Sequence, residues 1–228
     1  MNIELIVFDL DGTLVSSHET IYKATIHTLN KLNIQNKLTE EKFYNRIGLH
    51  FEDIFNEFDM NVPDFNEFIE IYKSIYFDYI DSSYLYDDVE IALDKIHSLG
   101  IKTSLLTTKS QEQAELILQH FNIYDKFDYV MGRRPGIAHK PSPEPLIYIC
   151  NELNIETNKT MIVGDSELDV ICGKSANAIT CAVTYGYRNL EELKNSNPDF
   201  IANKIIDVVN IVNGKSEGGK LWKREKLQ

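Results

Sequence analysis

The stretch that decides the fold is Ile3-Glu4-Leu5-Ile6-Val7-Phe8-Asp9-Leu10-Asp11-Gly12-Thr13. Its first six residues are nearly all apolar and rich in branched side chains, as expected of a short strand covered on both faces. Acidic residues and a glycine follow at once, which predicts that the strand ends at Asp9. A buried strand of this kind is typical of the centre of an α/β sheet.

The rest of the chain alternates between strand and helix patterns. Strands are expected at residues 101–107, 128–131, 160–163 and 179–183, with helices at 110–121 and 142–153 and another that ends near residue 176. Strands separated by helices of this length indicate βαβ crossovers. The sequence therefore predicts an α/β protein whose core is a doubly wound, parallel, Rossmann-like sheet.

Residues 16–82 interrupt this alternation with helical spacing and many aromatic and acidic residues. We expect them to form a helical cap domain, inserted into a core domain made of residues 1–15 and 83–213. Residues 214–228 start with a glycine-rich segment of linker composition, which predicts a flexible tail.

The charge balance bears on partners and location. The formal net charge is -12 and the isoelectric point is near 4.9, which disfavours binding to nucleic acid or to an anionic membrane. No apolar stretch reaches the roughly 18 residues of a membrane span, and Met1–Leu5 does not resemble a secretion signal. We expect a cytoplasmic protein whose three cysteines are reduced.

Polar side chains follow the ends of three predicted strands. Asp9 and Asp11 follow the first strand, Thr107 and Thr108 end a later one, and Asp165 follows residues 160–163. In open α/β sheets, ligands bind beyond the carboxyl ends of the strands, where the strand order reverses. We expect these side chains to meet in one crevice.

Carboxylates that converge in this way repel one another unless a cation lies between them. Mg²⁺ prefers carboxylate oxygens, water and phosphate, so Asp9, Asp11 and Asp165 are the expected magnesium ligands. Lys140 lies in the loop before a predicted helix and supplies further positive charge. Thr107, Thr108 and Lys140 are the residues expected to bind a phosphoryl group between them and the metal.

The two aspartates of the first stretch have complementary expected roles. Asp9 is the expected nucleophile, which would form an aspartyl-phosphate. Asp11 could protonate the leaving oxygen and then accept a proton from the attacking water. Asp169, four residues after Asp165, is better placed to orient Lys140 than to react.

These residues resemble the haloacid dehalogenase-like hydrolases. The four motifs of that family are matched in order by residues 9–13, Thr107, residues 140–145 and residues 164–169. The resemblance covers roughly residues 3–212 and is closest to the phosphoglycolate phosphatase-like branch, which implies a mobile cap over the site. True dehalogenases lack the second aspartate of the first motif, so the presence of Asp11 implies phosphoryl chemistry.

The expected function is magnesium-dependent hydrolysis of a small phosphorylated metabolite by a monomer or homodimer. Where the branch usually has asparagine this chain has Thr108, and Tyr86-Asp87-Asp88 stands where a Pro-Gly turn is usual, which leaves the substrate open. A phosphosugar mutase or an inorganic pyrophosphatase on the same core stays open. A phosphoacceptor signalling module or a silent scaffold is the alternative from a different class.

Overall fold

A computed structural model describes residues 2–214 of the chain. Residues 215–228 of the expected flexible tail lie outside the described residues. The strands are β1 (Leu5–Phe8), β2 (Val15–Ser16), β3 (Tyr84–Leu85), β4 (Lys102–Ser110), β5 (Tyr129–Arg133), β6 (Thr160–Gly164), β7 (Ile179–Val183) and β8 (Phe200–Ala202). The α-helices are α1 (His18–Lys31), α2 (Glu40–Tyr44), α3 (Phe51–Glu57), α4 (Phe65–Tyr76), α5 (Val89–Ser98), α6 (Gln111–His120), α7 (Glu144–Leu153), α8 (Glu167–Ser175), α9 (Leu190–Asn195) and α10 (Ile205–Val212).

Six of the strands form one sheet in the order β5-β4-β1-β6-β7-β8. Each pairing in this sheet for which a register is given is parallel. All four residues of β1 are fully buried, which fits a strand covered by helices on both faces. The predicted α/β, doubly wound, Rossmann-like core is confirmed.

The strand order reverses at β1. From β1 the chain proceeds outward through β4 and β5 on one side, and later returns to place β6 on the other side. Phe8 at the end of β1 pairs with Leu105 and with Val163, so the carboxyl ends of three strands meet at this switch point. A ligand crevice is expected at that place in the sheet.

Two features of the sheet differ from the expected strands. β4 extends through Ser110, beyond its predicted end at residue 107, and its register with β5 shifts between Leu106 and Ser110. Polar residues there continue the extended backbone, which an apolar pattern does not predict. Strand β8 was not predicted, because its three residues are too few to give a pattern.

The described part of the chain divides into two compact units, of which one comprises residues 15–84. That unit contains α1–α4, and its interior is rich in aromatic side chains. The rings of Phe51 and Tyr72 lie 4.8 Å apart and those of Phe55 and Phe68 4.9 Å apart, distances at which edge-to-face pairs stabilise a core. The aromatic residues of this segment therefore serve packing, and the role of the unit as a cap stays a prediction.

The other unit comprises residues 2–14 and 85–214 and contains the six-stranded sheet. Its three cysteines are free thiols buried in the core. Within residues 2–214, no helix has the length and apolar character needed to cross a membrane.

Candidate active site

The end of β1 places two acidic side chains in the core unit. The backbone N–H of Asp9 donates to the carbonyl of Val163 at 2.9 Å, which continues the pairing with β6 by one residue. The chain then turns at Gly12, whose φ of 82° lies in the left-handed region that glycine tolerates. Asp9 and Asp11 are both buried, at 8% and 9% exposure.

Lys140 lies between two of the predicted site residues. Its Nζ donates to Oδ1 of Asp9 at 2.7 Å and to Oδ1 of Asp169 at 2.6 Å. These are the lengths of strong, charge-assisted hydrogen bonds. Asp9 and Lys140 are 131 positions apart in the chain, and the fold brings them into direct contact.

The first turn of α8 holds Asp169 in place. Its Oδ2 accepts hydrogen bonds from the backbone N–H of Ser166 at 3.2 Å and from the Ser166 hydroxyl at 2.7 Å. With Oδ2 bound in this capping box, Oδ1 is left to face Lys140. The geometry is the one expected if Asp169 orients the lysine.

Asp165 completes a group of buried carboxylates. One oxygen each of Asp9, Asp165 and Asp169 lies within 4.8 Å of the other two. Oδ2 of Asp165 accepts a hydrogen bond from the backbone N–H of Tyr187 at 2.6 Å. Tyr187 was not predicted, because a backbone donor from a distant loop leaves no signature in side-chain types.

The electrostatics of this group favour a cation. Burial raises the pKa of Asp9 to about 7 despite the opposing charge of Lys140. Burial also raises the pKa of Asp165 well above its ordinary value, and the charges of Asp9 and Asp169 raise it further. The three carboxylates outnumber the Lys140 ammonium group, which contacts Asp9 and Asp169, and their oxygens are hard ligands. The group therefore fits a divalent ion such as Mg²⁺.

Lys140 responds in the opposite way to the same surroundings. Burial alone would lower the pKa of Lys140, but the charges of Asp169 and Asp9 outweigh it and raise that pKa. Its ammonium therefore stays charged throughout the neutral range. A phosphate oxygen brought to this place would meet a permanent positive charge.

Asp11 does not belong to the group of three carboxylates found among the described residues. Its Oδ2 lies 3.4 Å from Nζ of Lys109, and the two side chains are 11% and 8% exposed. The structure thus brings Asp169, in place of Asp11, to the other two predicted metal ligands. The role of Asp11 as a ligand stays a prediction, and Lys109 is an addition to the predicted set.

The two threonines lie at the end of β4, next to β1. The Thr107 side chain is buried, and its Oγ1 accepts a hydrogen bond from the backbone N–H of Lys109 at 3.3 Å. Thr108 is half-buried. Since Phe8 pairs with Leu105, Thr107 and Asp9 both lie within two residues of the paired end of these strands. Their roles as phosphate ligands stay predictions.

Glycines pack directly against the acidic side chains. A Cβ on Gly12 or Gly186 would overlap the carboxylate of Asp165, and a Cβ on Gly164 would overlap that of Asp169. Interiors packed this closely leave no room for one more methyl group. The glycines therefore determine where the two carboxylates can lie.

Gly12→Ala is expected to lower catalytic activity at least about 10²-fold and the free energy of unfolding by about 2–4 kcal/mol, because it combines backbone strain with displacement of Asp165. Gly100→Ala is the matched control, since φ there is 75° and a Cβ would meet nothing within 4 Å. The control should lose about 1–2 kcal/mol of stability and keep full activity. Turnover and urea unfolding measured on both variants test this, and equal activities in the two would contradict the packing argument.

The fold agrees with the family comparison. Residues 6–183 match the family model of the haloacid dehalogenase-like hydrolases. The chain belongs to this family of hydrolases, as the resemblance of its motifs predicted.

Relatives match over nearly the whole chain. A relative from Clostridium perfringens that carries the name PpaX is 33% identical over 211 residues, or 92% of this chain and 97% of the relative. The pyrophosphatase PpaX of Bacillus cereus is 30% identical over 215 residues, or 93% of this chain and 97% of that protein. The crystal structure of a predicted phosphoglycolate phosphatase from Haemophilus somnus has a TM-score of 0.80 at 26% identity, covering 93% of this chain and 99% of that one. The similarity therefore extends through the insert as well as the core.

Proposed function

We propose that this chain is a magnesium-dependent phosphatase that transfers the phosphoryl group of a small substrate to Asp9 and then to water. The observation that supports this best is the position of the Asp9 carboxylate. It is buried at the switch point of the sheet, 2.7 Å from Lys140 and within 4.8 Å of Asp165. The Asp9 carboxylate as nucleophile, the Lys140 ammonium and the Asp165 carboxylate therefore face the same small volume.

Asp9 and Asp165 are the residues that would hold the metal ion, with Asp11 as a further candidate. When bound, Mg²⁺ supplies positive charge that offsets the carboxylates and the negative charge of the transferring phosphoryl group. The residues around it are fixed in advance, since Tyr187 holds Asp165 and Lys140 holds Asp9. Little rearrangement is then needed before reaction.

The first half-reaction would form a bond between an Asp9 oxygen and phosphorus. Lys140 contacts Oδ1 of Asp9 and thereby fixes the rotation of the carboxylate. The bond from phosphorus to the leaving oxygen breaks as the new bond forms, and that oxygen takes a proton from Asp11. Thr107, Thr108 and Lys140 would bind the oxygens of the phosphoryl group.

The second half-reaction would return the enzyme to its starting state. Asp11, now ionised, accepts a proton from a water molecule as that water attacks the phosphorus atom of the aspartyl-phosphate. The bond between Asp9 and phosphorus breaks, and phosphate leaves.

In this scheme residues 16–82 act as a cap that excludes bulk water and selects the substrate. A cytoplasmic location and a monomeric or homodimeric state stay predictions from the sequence.

Inorganic pyrophosphate is a second candidate substrate beside small phosphate monoesters. The full-length similarity to relatives that carry the PpaX name favours it. The neighbouring structure of a predicted phosphoglycolate phosphatase favours a monoester. Both reactions use the same attack on phosphorus by Asp9 and differ in the group that leaves.

Phosphate release from pyrophosphate, 2-phosphoglycolate and sugar phosphates tests the proposal. We expect hydrolysis of at least one of them with Mg²⁺, loss of activity in excess chelator, and its return when Mg²⁺ is restored. Mg²⁺ at about 100 times its Kd should also raise the Tm by about 5–10 °C. Asp165→Asn should abolish that rise, while Asp94→Asn, at an exposed carboxylate that pairs with Lys126, should keep it.

Activity that persists in the chelator, or a Tm that Mg²⁺ raises equally in Asp165→Asn, would contradict the metal site. No release of phosphate from any substrate by wild-type protein would contradict the proposed phosphatase function.

A further inference from the structure

Lys109 is a second lysine beside the acidic residues, and the four family motifs give it no role. It lies one residue before the end of β4, and its side chain is only 8% exposed. Lysine side chains are almost never buried to this degree unless they are paired. One partner of Lys109 is Asp11, whose Oδ2 lies 3.4 Å from the Lys109 Nζ.

The two lysines serve different carboxylates. Lys140 contacts Asp9 and Asp169, the side where phosphorus would be attacked. Lys109 lies beside Asp11, the residue proposed to protonate the leaving oxygen. The leaving oxygen must come within hydrogen-bond reach of Asp11 for that transfer. A charge next to Asp11 is therefore close to the leaving group and acts on it strongly in a buried site.

A leaving group that is a neutral alcohol carries no negative charge for the Lys109 ammonium to bind. That ammonium group stabilises a leaving group that carries its own negative charge, such as the phosphate released from pyrophosphate or the carboxylate of glycolate. We propose that Lys109 binds the anionic part of the leaving group, so that the site prefers substrates whose leaving group is itself an anion. This inference rests on the proposed function and assigns it a substrate class.

The preference has a defined chemical origin. Asp9 forms its bond to phosphorus and the bond to the leaving oxygen breaks. Asp11, which must be protonated at this stage, donates its proton to that oxygen, while the second charged group of the substrate takes its place beside the Lys109 ammonium. Lys109 exchanges no proton in this step. It holds the second charged group of the substrate, and that contact orients the leaving oxygen toward Asp11. Both pyrophosphate and 2-phosphoglycolate carry such a group, whereas glycerol 3-phosphate does not.

The test compares kcat/KM for these three substrates in Lys109→Met. We expect a loss of about 10²-fold on pyrophosphate and on 2-phosphoglycolate, the usual effect of removing a charged hydrogen-bond partner, and a much smaller loss on glycerol 3-phosphate. Lys109→Arg should recover part of the preference because it keeps the charge. The ratio of two values from one preparation does not depend on the fraction of folded protein, so a less stable variant remains informative.

Lys159→Met is the matched control. Lys159 also forms an ion pair, with Glu4 at 3.1 Å, but lies before the start of β6, at the opposite end of the sheet from Asp9. The Lys159→Met substitution removes the same charge as Lys109→Met and should leave the kcat/KM values of all three substrates unchanged. Equal losses on the three substrates in Lys109→Met, or a wild-type preference for glycerol 3-phosphate, would overturn this inference alone. Wild-type protein inactive on every substrate would overturn the proposed function and this inference with it.

Discussion

Asp9→Asn is expected to lower phosphate release by at least about 10⁴-fold while the protein stays folded. Asparagine has nearly the same shape as aspartate, but its amide is not a nucleophile toward phosphorus. No other described residue is assigned to that step. The measurement is phosphate release under single-turnover and steady-state conditions, with Asp94→Asn as a control that removes one exposed carboxylate elsewhere in the core unit.

The stability of this variant separates a chemical role from a structural one. Burial raises the pKa of Asp9 to about 7, so the stability of the folded, metal-free chain falls as the pH rises from the ordinary pKa of an aspartate to about 7, and the loss is complete above that pH. Asparagine removes the charge of the Asp9 carboxylate and its repulsion from Asp165 and Asp169. We expect the metal-free variant at pH 8 to be at least as stable as wild type. A large loss of stability together with the loss of activity would mean that Asp9 is needed for folding.

Lys140→Met is expected to lower both activity and stability. The activity should fall at least about 10³-fold, because the variant lacks the charge that would face the phosphoryl oxygens. The free energy of unfolding should fall by about 3–5 kcal/mol in metal-free buffer, because Asp9 and Asp169 stay buried without their partner. Urea unfolding with and without Mg²⁺ measures this, and the ion should restore part of the loss.

The pH dependence of the stabilisation by Lys140 follows from the raised pKa of its ammonium group. The charges of Asp169 and Asp9 raise the pKa of Lys140, so its ionised form stabilises the fold below its ordinary pKa and loses that effect only in strong alkali. The contribution is therefore complete at neutral pH. A Lys140→Met protein as stable as wild type at pH 7 would contradict this account of the buried ion pairs.

The sequence was sufficient to predict the core of the fold for physical reasons. β1 is a run of buried apolar residues that ends at a turn, and the later strands alternate with helices long enough to cross the sheet. Parallel strands that end together bring Asp9, Asp165 and Lys140 to one place, although their separation in the chain is large. Their meeting within hydrogen-bond or metal-binding distance is a consequence of topology.

Other parts could not be predicted from residue types. Lys109 at a strand end has the pattern of a solvated lysine, and its burial beside Asp11 depends on packing around β4. The backbone N–H that holds Asp165 comes from a loop whose path the sequence does not reveal. The short strand β8 is positioned by Asp199, whose carboxylate accepts hydrogen bonds from the N–H and hydroxyl of Thr180 across the sheet.

The predicted metal ligands also divide into carboxylates that the sheet topology brings together and one, Asp11, whose position depends on local geometry. Residues two apart in an extended strand share a face, a pattern that predicts Asp9 and Asp11 on the same side of the site. The chain leaves the strand at Asp9 and turns at Gly12, and the carboxylate of Asp11 lies beside Lys109. Asp169 comes into the group through the first turn of α8. Local geometry after the strand end, which period-two reasoning does not describe, determines which carboxylates meet.

Trapping of the phosphorylated enzyme tests the central claim most directly. Wild-type protein turning over its substrate with Mg²⁺ is quenched with sodium borohydride, which reduces an acyl phosphate to an alcohol, and its peptides are analysed by mass spectrometry. Homoserine at position 9, absent without substrate, is the predicted result. Reduction at a different carboxylate, or steady turnover with Asp9 unmodified under conditions that trap a known aspartyl-phosphate, would contradict the account.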